Sequence, residues 1–118
     1  LAGSLGLNNL VLLYDSNDVC LDGPVSEVYQ EDVELRYKAS GFKVFHLYAY
    51  DLDSFEAIFT KARNEQEKPV LVIIKSLIGK YKPDWEGTRK AHGTGLTMKE
   101  GQDLKSNFGW SYPAFTVG

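Results

Sequence analysis

Three short apolar segments alternate with two helical patterns along the chain, and this alternation constrains the fold more than any other feature. The apolar segments are Leu10–Tyr14, Phe42–Tyr48 and Val70–Ile74. Their lengths are typical of β-strands, and the segments between them show the spacing of amphipathic helices. Strands that are separated by helices pair in parallel through right-handed crossovers. The order therefore predicts an α/β fold with a mainly parallel sheet.

The first and third strands contain no regular alternation of polar residues. Val70–Ile74, with the sequence VLVII, is the most apolar segment and is predicted to lie at the centre of the sheet. Leu10–Tyr14 is also apolar, so we expect both of its faces to be covered.

Three helices are predicted from capping residues and apolar spacing. The first spans Glu31–Ser40. The second begins at Asp53, which forms a capping-box pattern with Glu56. Thr97 and Glu100 form the same pattern at the start of the last helix. In the second helix the core-facing residues recur at i, i+3, i+4 and i+7: Phe55, Ile58, Phe59 and Ala62.

Composition and charge limit the class of protein. A chain of 118 residues is the length of one domain, here 1–118, and its formal net charge of −3 argues against a nucleic-acid-binding surface. No apolar run approaches the roughly 20 residues that span a bilayer, so we expect no membrane segment. Cys20 is the single cysteine, which rules out an internal disulfide and suits the cytoplasm.

The first ten residues, LAGSLGLNNL, have the pattern of the end of a helix, with Gly6 near the C-cap. A chain that opens inside a helix is expected to be a fragment of a larger protein.

Two loops are predicted to meet at one edge of the sheet. Parallel strands place their carboxyl ends along the same edge, and ligands of open α/β sheets bind there. The loops Asp15–Gly23 and Ser76–Gly95 both follow strands, so they can converge on one ligand. The second loop has no clear periodicity, which in a compact domain is typical of a functional loop.

The first of these loops is rich in oxygen donors that suit Mg²⁺ or Ca²⁺. The candidate ligands are Asp15, Asn17, Asp18 and Asp22. An EF-hand is excluded, because Cys20 stands at the position of its invariant glycine. The same residue types also form turns, and spacing alone favours the turn interpretation.

Neither histidine by itself indicates a catalytic or metal-binding role. His92 lies in the second loop, where a lone histidine is more often a surface residue than a catalyst, and His46 is predicted to pack within a strand. One cysteine and two histidines cannot form a zinc site of the usual Cys–His spacing.

A series of short motifs runs through nearly the whole chain in a fixed order. They are LYDSN (Leu13–Asn17), LDG (Leu21–Gly23), EDV (Glu31–Val33), RYKA (Arg36–Ala39), KSLIG (Lys75–Gly79), GT (Gly87–Thr88), HG (His92–Gly93) and FGW (Phe108–Trp110). In order and spacing they resemble the later part of the thiamine-diphosphate-binding N-terminal domain of transketolases. The resemblance implies that the chain is part of a three-layer α/β/α thiamine-diphosphate-binding fold.

The resemblance also implies roles for five residues. Asn17 matches a side-chain ligand of the metal, and Val19 matches a position that binds the metal through its backbone carbonyl. Leu21 and Ile78 match apolar positions that pack against the rings of the cofactor. His92 matches a histidine that reaches both the diphosphate and the sugar substrate, which makes it the candidate catalytic and substrate-binding residue.

The activity implied is the transfer of a two-carbon ketol unit between sugar phosphates, with thiamine diphosphate and Mg²⁺ or Ca²⁺ as cofactors. The implied partners are sugar-phosphate substrates, the remaining domains of a parent chain and a second copy in a homodimer. In this family a GDG segment supplies another metal ligand, and a neighbouring domain supplies an activating glutamate. Neither matches any part of this chain, so the chain alone is expected to be inactive.

Two rival hypotheses stay open at this point. The first is a related thiamine enzyme, such as a deoxyxylulose-phosphate synthase or a phosphoketolase, although the KSLIG and HG motifs favour transketolase. The second is a non-catalytic α/β module that binds a partner after losing the cofactor site.

Overall fold

The computed structural model describes residues 1–116, so the last two positions of the predicted 1–118 domain, Val117 and Gly118, lie outside the described residues. The chain divides into two compact units. The first combines Leu1–Asn17 with Ser26–Ser76 and contains the sheet. The second combines Asp18–Val25 with the part of the chain from Leu77 onward.

The first unit is built on three parallel strands. They are β1 (Val11–Ser16), β2 (Lys43–Tyr48) and β3 (Val70–Lys75), and their order in the sheet is β1–β3–β2. The predicted parallel α/β architecture is confirmed. Strand β1 continues through Asp15 and Ser16, so these two residues belong to the sheet rather than to the loop that was predicted to begin at Asp15.

Strand β3 lies at the centre of the sheet, as its apolar sequence predicted. Val70, Leu71 and Val72 are at most 1% exposed. The expectation that both faces of β1 are covered is wrong for the described chain, because the side chain of Leu13 is 55% exposed. The reason is geometric: β1 lies at the edge of this sheet, and the helix on that face packs mainly over the other two strands.

Helices α1 (Val33–Ala39) and α2 (Leu52–Arg63) cover opposite faces of the sheet. The carboxylate of Glu34 in α1 lies 3.0 Å from Nε2 of His46. The next residue, Leu47, packs with the apolar stripe of α2 on the other face, because successive residues of a strand point in opposite directions. The predicted stripe is confirmed, and its members are Phe55, Ile58, Phe59 and Ala62. The result is three layers, helix on sheet on helix.

The start of α2 differs from the prediction. Its N-cap is Asp51, whose carboxylate accepts a hydrogen bond from the backbone N–H of Ser54 at 3.2 Å. The hydroxyl and the N–H of Ser54 both hold the pKa of Asp51 below its ordinary value. The capping box predicted at Asp53 and Glu56 is therefore wrong, since Asp53 already lies in the first turn of the helix.

The first residues form turns with the hydrogen-bond pattern that typically ends a helix, which agrees with the predicted pattern. The N–H of Leu7 donates to the carbonyl of Ala2, the N–H of Gly6 donates to the carbonyl of Gly3, and both distances are 3.1 Å. This pair of bonds is the Schellman motif, which requires a left-handed residue. Gly6 supplies it with φ of +60°.

The second unit contains helix α3 (Met98–Asn107). Its predicted capping box is confirmed: the side chain of Thr97 accepts a hydrogen bond from the N–H of Glu100, whose carboxylate accepts one from the N–H of Thr97. Among residues 1–116, no helix combines the length and the apolar character that crossing a bilayer would require.

Candidate functional site

The carboxyl ends of β1 and β3 are joined directly in the first unit. The N–H of Ser76 donates to the carbonyl of Ser16 at 3.2 Å, and the hydroxyl of Ser76 donates to the carboxylate of Asp15. The loops that follow the two strands therefore leave the sheet side by side, as predicted. Asp15 contributes a framework hydrogen bond at this edge.

Asn17 and Asp18 form the exit from β1. Asn17 is half-buried and follows the last strand residue directly. Asp18 adopts the left-handed conformation with φ of +62°, which aspartate tolerates better than most residues. The direction of the chain thus changes immediately after Asn17.

Residues 18–25 form a small hairpin in the second unit. The N–H of Val25 donates to the carbonyl of Asp18 at 2.9 Å, and the N–H of Cys20 donates to the carbonyl of Gly23 at 2.8 Å. The thiol of Cys20 lies 3.2 Å from the same carbonyl. Between Cys20 and Gly23 the chain turns over two residues, Leu21 and Asp22.

The hairpin gives the Val19 carbonyl a defined direction. Val19 and Pro24 form an isolated antiparallel bridge, and the hydrogen bonds on either side of it belong to their neighbours. In such a non-hydrogen-bonded pair the carbonyl of each residue points away from the other strand. The Val19 carbonyl is therefore directed outward from the hairpin. Leu21, at the tip, has a side chain that is 65% exposed.

The donor set at this loop consists of hard oxygen atoms. The carboxamide of Asn17 and the carbonyl of Val19 are two residues apart in sequence, and both suit Mg²⁺ or Ca²⁺. Across residues 1–116, no group of three or more His, Cys, Asp or Glu residues could hold a metal ion. The chemistry of each donor therefore suits a hard divalent cation.

The loop after β3 is folded, although the sequence predicted no clear element there. The N–H of Gly87 donates to the carbonyl of Ile78 at 2.8 Å, and residues Arg89–Ala91 form a 3₁₀ helix. Gly79 has φ of +68°, and a Cβ atom at this position would lie 2.8 Å from the Cβ of Ala91. The glycine of the KSLIG motif therefore packs directly under the 3₁₀ helix.

His92 ends the 3₁₀ helix and is exposed. Its N–H donates to the carbonyl of Arg89 at 3.0 Å. The side chain of Arg89 points to the hairpin, where Nη1 donates to the carbonyl of Asp22 at 3.2 Å. The sequence did not predict this contact, because nothing in the local pattern around Arg89 indicates a partner 67 positions away.

Helix α3 holds the outer part of the same loop. Lys82 Nζ lies 3.2 Å from the carboxylate of Glu100, and Nδ2 of Asn107 donates to the carbonyl of Tyr81 at 2.7 Å. The rings of Tyr81 and Phe108 are 4.3 Å apart. Hydrogen bonds from the N–H and hydroxyl of Thr97, followed by that from Lys82, lower the pKa of Glu100 to about 2. Contacts with Glu100, Asn107 and the C-cap residue Phe108 thus hold this loop against α3.

Four of the five candidate residues lie in the second unit: Val19, Leu21, Ile78 and His92. The fifth, Asn17, is the residue at which the first unit passes into the hairpin. Within the second unit, Arg89 connects the hairpin to the turn that ends at His92. Their roles toward cofactor and substrate remain predictions.

Comparison with known proteins gives a consistent family. A family model described as "transketolase, thiamine diphosphate binding domain" matches residues 1–118. The transketolase of Bacillus subtilis is 38% identical over 115 residues, which is 95% of this chain and 17% of that protein. The transketolase of Buchnera aphidicola is 36% identical over 118 residues, which is 99% of this chain and 18% of that protein.

Solved structures of transketolases share the fold. A transketolase mutant from Pichia stipitis, whose crystal structure is described as a complex with xylulose 5-phosphate, superposes with a TM-score of 0.91 at 30% identity, covering 100% of this chain and 18% of that one. The transketolase from Campylobacter jejuni gives a TM-score of 0.86 at 32% identity, covering 92% of this chain and 17% of that one.

Proposed function

This chain belongs to the family of transketolase thiamine-diphosphate-binding domains, and from that premise we propose that its parent protein transfers a two-carbon ketol unit between sugar phosphates. The chain spans less than a fifth of the length of the relatives described above. Activity, substrates and partners are therefore assigned to the whole protein. The observation that carries the proposal is the family match along the entire chain.

The proposed reaction breaks the bond between C2 and C3 of a ketose phosphate. A new carbon–carbon bond forms at the aldehyde carbon of an aldose phosphate, and the donor leaves as an aldose two carbons shorter. Thiamine diphosphate, when bound, supplies the nucleophilic carbon and the electron sink for this exchange. The residues of the chain contribute binding, orientation and charge stabilisation.

Asn17 and Val19 are proposed to bind Mg²⁺ or Ca²⁺ and so to anchor the diphosphate of the cofactor. The outward direction of the Val19 carbonyl supports this role, because the side chain of a valine has no donor atom. The exposed Leu21 at the hairpin tip is available to pack against an apolar ring, and Ile78 is proposed to do the same from the other loop.

His92 is proposed to bind both the diphosphate and the sugar substrate. Its imidazole is exposed, so it is accessible to both groups. At this position the ring can orient the substrate by hydrogen bonding and stabilise the charge that develops as the carbon–carbon bond breaks.

The remaining assignments concern the assembly and its location. We assign the parent to the cytoplasm, with sugar phosphates as its substrates. We also assign it to a homodimer, which the family resemblance implies. A single reduced cysteine, Cys20, supports the cytoplasmic assignment.

The test is the transfer reaction itself, measured with the full-length parent. We expect a ketose phosphate and an aldose phosphate to exchange a two-carbon unit only when thiamine diphosphate and a divalent metal are both supplied after dialysis. His92→Ala should lower kcat/KM by about 100-fold or more, which is within the usual contribution of an acid–base or charge-stabilising group. A parent that forms deoxyxylulose phosphate, or that cleaves the ketose without an aldose acceptor, would place it among the related thiamine enzymes instead.

A further inference from the structure

We propose that Arg89 is a positioning residue that ties the 18–25 hairpin to the turn carrying His92. This inference rests on the proposed function, because it concerns how the predicted metal and cofactor residues are held. It adds a residue that none of the sequence motifs includes.

The side chain of Arg89 binds the tip of the hairpin. Its Nη1 atom donates to the carbonyl of Asp22, which is the second residue of the two-residue turn. The guanidinium is a charged donor, and hydrogen bonds from charged donors are stronger than those between neutral groups. The contact therefore fixes the orientation of the peptide group between Asp22 and Gly23.

The backbone of Arg89 contacts the other part of the predicted site, the turn that ends at His92. Its carbonyl accepts the N–H of His92 at 3.0 Å, at the end of the 3₁₀ helix Arg89–Ala91. Gly79 packs under the same helix, as its close approach to Ala91 shows. One residue thus contacts both predicted arms of the site, the hairpin with Val19 and Leu21 through its side chain and His92 through its backbone.

The hairpin has an exposed tip, which the side chain of Arg89 anchors. Its internal hydrogen bonds join residues 18 to 25 and 20 to 23, and Leu21 and Asp22 at the turn are exposed. A metal or cofactor site requires its groups to stay within about 0.5 Å of their working positions, which depends on supporting contacts of this kind. Loss of such supporting residues typically weakens metal binding by about 10- to 100-fold.

The first experiment tests, without any cofactor, whether the contact between Arg89 and Asp22 stabilises the hairpin. Amide hydrogen exchange is followed in the full-length apoprotein at Cys20 and Val25, which both donate hydrogen bonds within the hairpin, in the wild type and in Arg89→Ala. Lys90→Ala is the matched control, since it removes one positive charge from the same 3₁₀ helix. We expect faster exchange of both amides in Arg89→Ala only. Equal exchange rates of these amides in the two variants would overturn the proposed positioning role of Arg89.

The second experiment measures its functional consequence. Calorimetry in the presence of Mg²⁺ should show thiamine diphosphate binding about tenfold weaker in Arg89→Ala than in Lys90→Ala. Arg89→Lys should recover part of this loss, because lysine keeps a charged donor. The metal concentration for half-maximal activation should rise, while kcat at saturating metal stays near that of the wild type.

The two possible failures have different signatures. If the wild type does not bind thiamine diphosphate, the proposed function is wrong, and the cofactor-positioning role of Arg89 is wrong with it. If the wild type binds normally and Arg89→Ala binds as Lys90→Ala does, the proposed function stands and the positioning role of Arg89 is overturned.

Discussion

Gly79 shows how a single residue shapes the candidate site. Its φ of +68° lies in the left-handed region, and an added Cβ atom would meet Ala91 at 2.8 Å and the carbonyl oxygen of Trp85 at 3.3 Å. A side chain here would face both backbone strain and a steric clash. The clash would fall on the residue that precedes His92, so it would displace the turn that ends there.

We therefore predict that Gly79→Ala impairs the full-length enzyme. A misplacement of about 1 Å at a reacting group can cost up to about 100-fold in rate, and we expect kcat/KM to fall by that order. Gly95→Ala is the control, because no atom lies within 4 Å of an added Cβ there. Equal kcat/KM values for the two variants would show that the packing of Gly79 does not position His92.

The predictability of single residues depends on whether a motif contains them. Asn17, Leu21, Ile78 and His92 were identified because they lie in motifs whose order resembles a known family. The contact between Arg89 and Asp22 was not predicted, because only the folded chain brings these two residues together.

At the scale of the secondary-structure elements, helix starts show where sequence patterns are sufficient. The Thr97–Glu100 box was predicted correctly, since no competing cap lies nearby. Before α2, Asp51 and Asp53 both have a suitable partner three residues later. The turn after β2 decides which aspartate is the N-cap. The N–H of Asp51 donates to the carbonyl of Tyr48 at 3.0 Å, so the turn ends at Asp51 and the helix begins directly after it.

The low pKa of Glu100 gives a prediction for α3. The pKa is about 2, below the ordinary 4.5, because the N–H and hydroxyl of Thr97 and then Lys82 hydrogen-bond the ionised carboxylate. A carboxyl group with a lowered pKa stabilises the folded state when the pH is above the ordinary pKa of 4.5. This contribution is lost as the pH falls from 4.5 toward 2.

The measurement is a titration of the Glu100 side-chain carboxyl carbon by NMR in the full-length protein, over the range in which it stays folded. We expect a shift midpoint well below 4.5, and a higher midpoint in Thr97→Val, which removes the hydroxyl donor. Lys99→Met, which removes the exposed partner of Asp103, should leave the Glu100 midpoint unchanged. A midpoint near 4.5 in the wild type would contradict the capping geometry.

At the scale of the molecule, the parallel sheet and its central strand followed from the sequence because apolar runs and helical spacing are local signals. The exposure of Leu13 did not follow, since the position of β1 at the sheet edge is a property of the topology. The two compact units were not predicted either, because the hairpin Asp18–Val25 joins the residues from Leu77 onward through contacts distant in sequence.

The chain covers only a small part of the length of its relatives, and this leads to a prediction about its activity. Transketolases matched along this chain are more than five times as long, and the proposed metal site needs ligands beyond Asn17 and Val19. We expect the isolated 118-residue chain to show no ketol transfer with thiamine diphosphate and Mg²⁺, whereas the full-length protein should turn over. Clear turnover by the isolated chain would contradict this account.

The most direct test of the central claim is calorimetric titration of thiamine diphosphate, with Mg²⁺ present, into the full-length apoprotein. The wild type should bind, and Asn17→Ala should bind at least about tenfold more weakly, since even supporting residues of metal sites have effects of that size. Asn9→Ala, which removes a carboxamide just before β1, should bind as the wild type does. No binding by the wild type, or unchanged binding by Asn17→Ala, would contradict the claim that this loop anchors the cofactor.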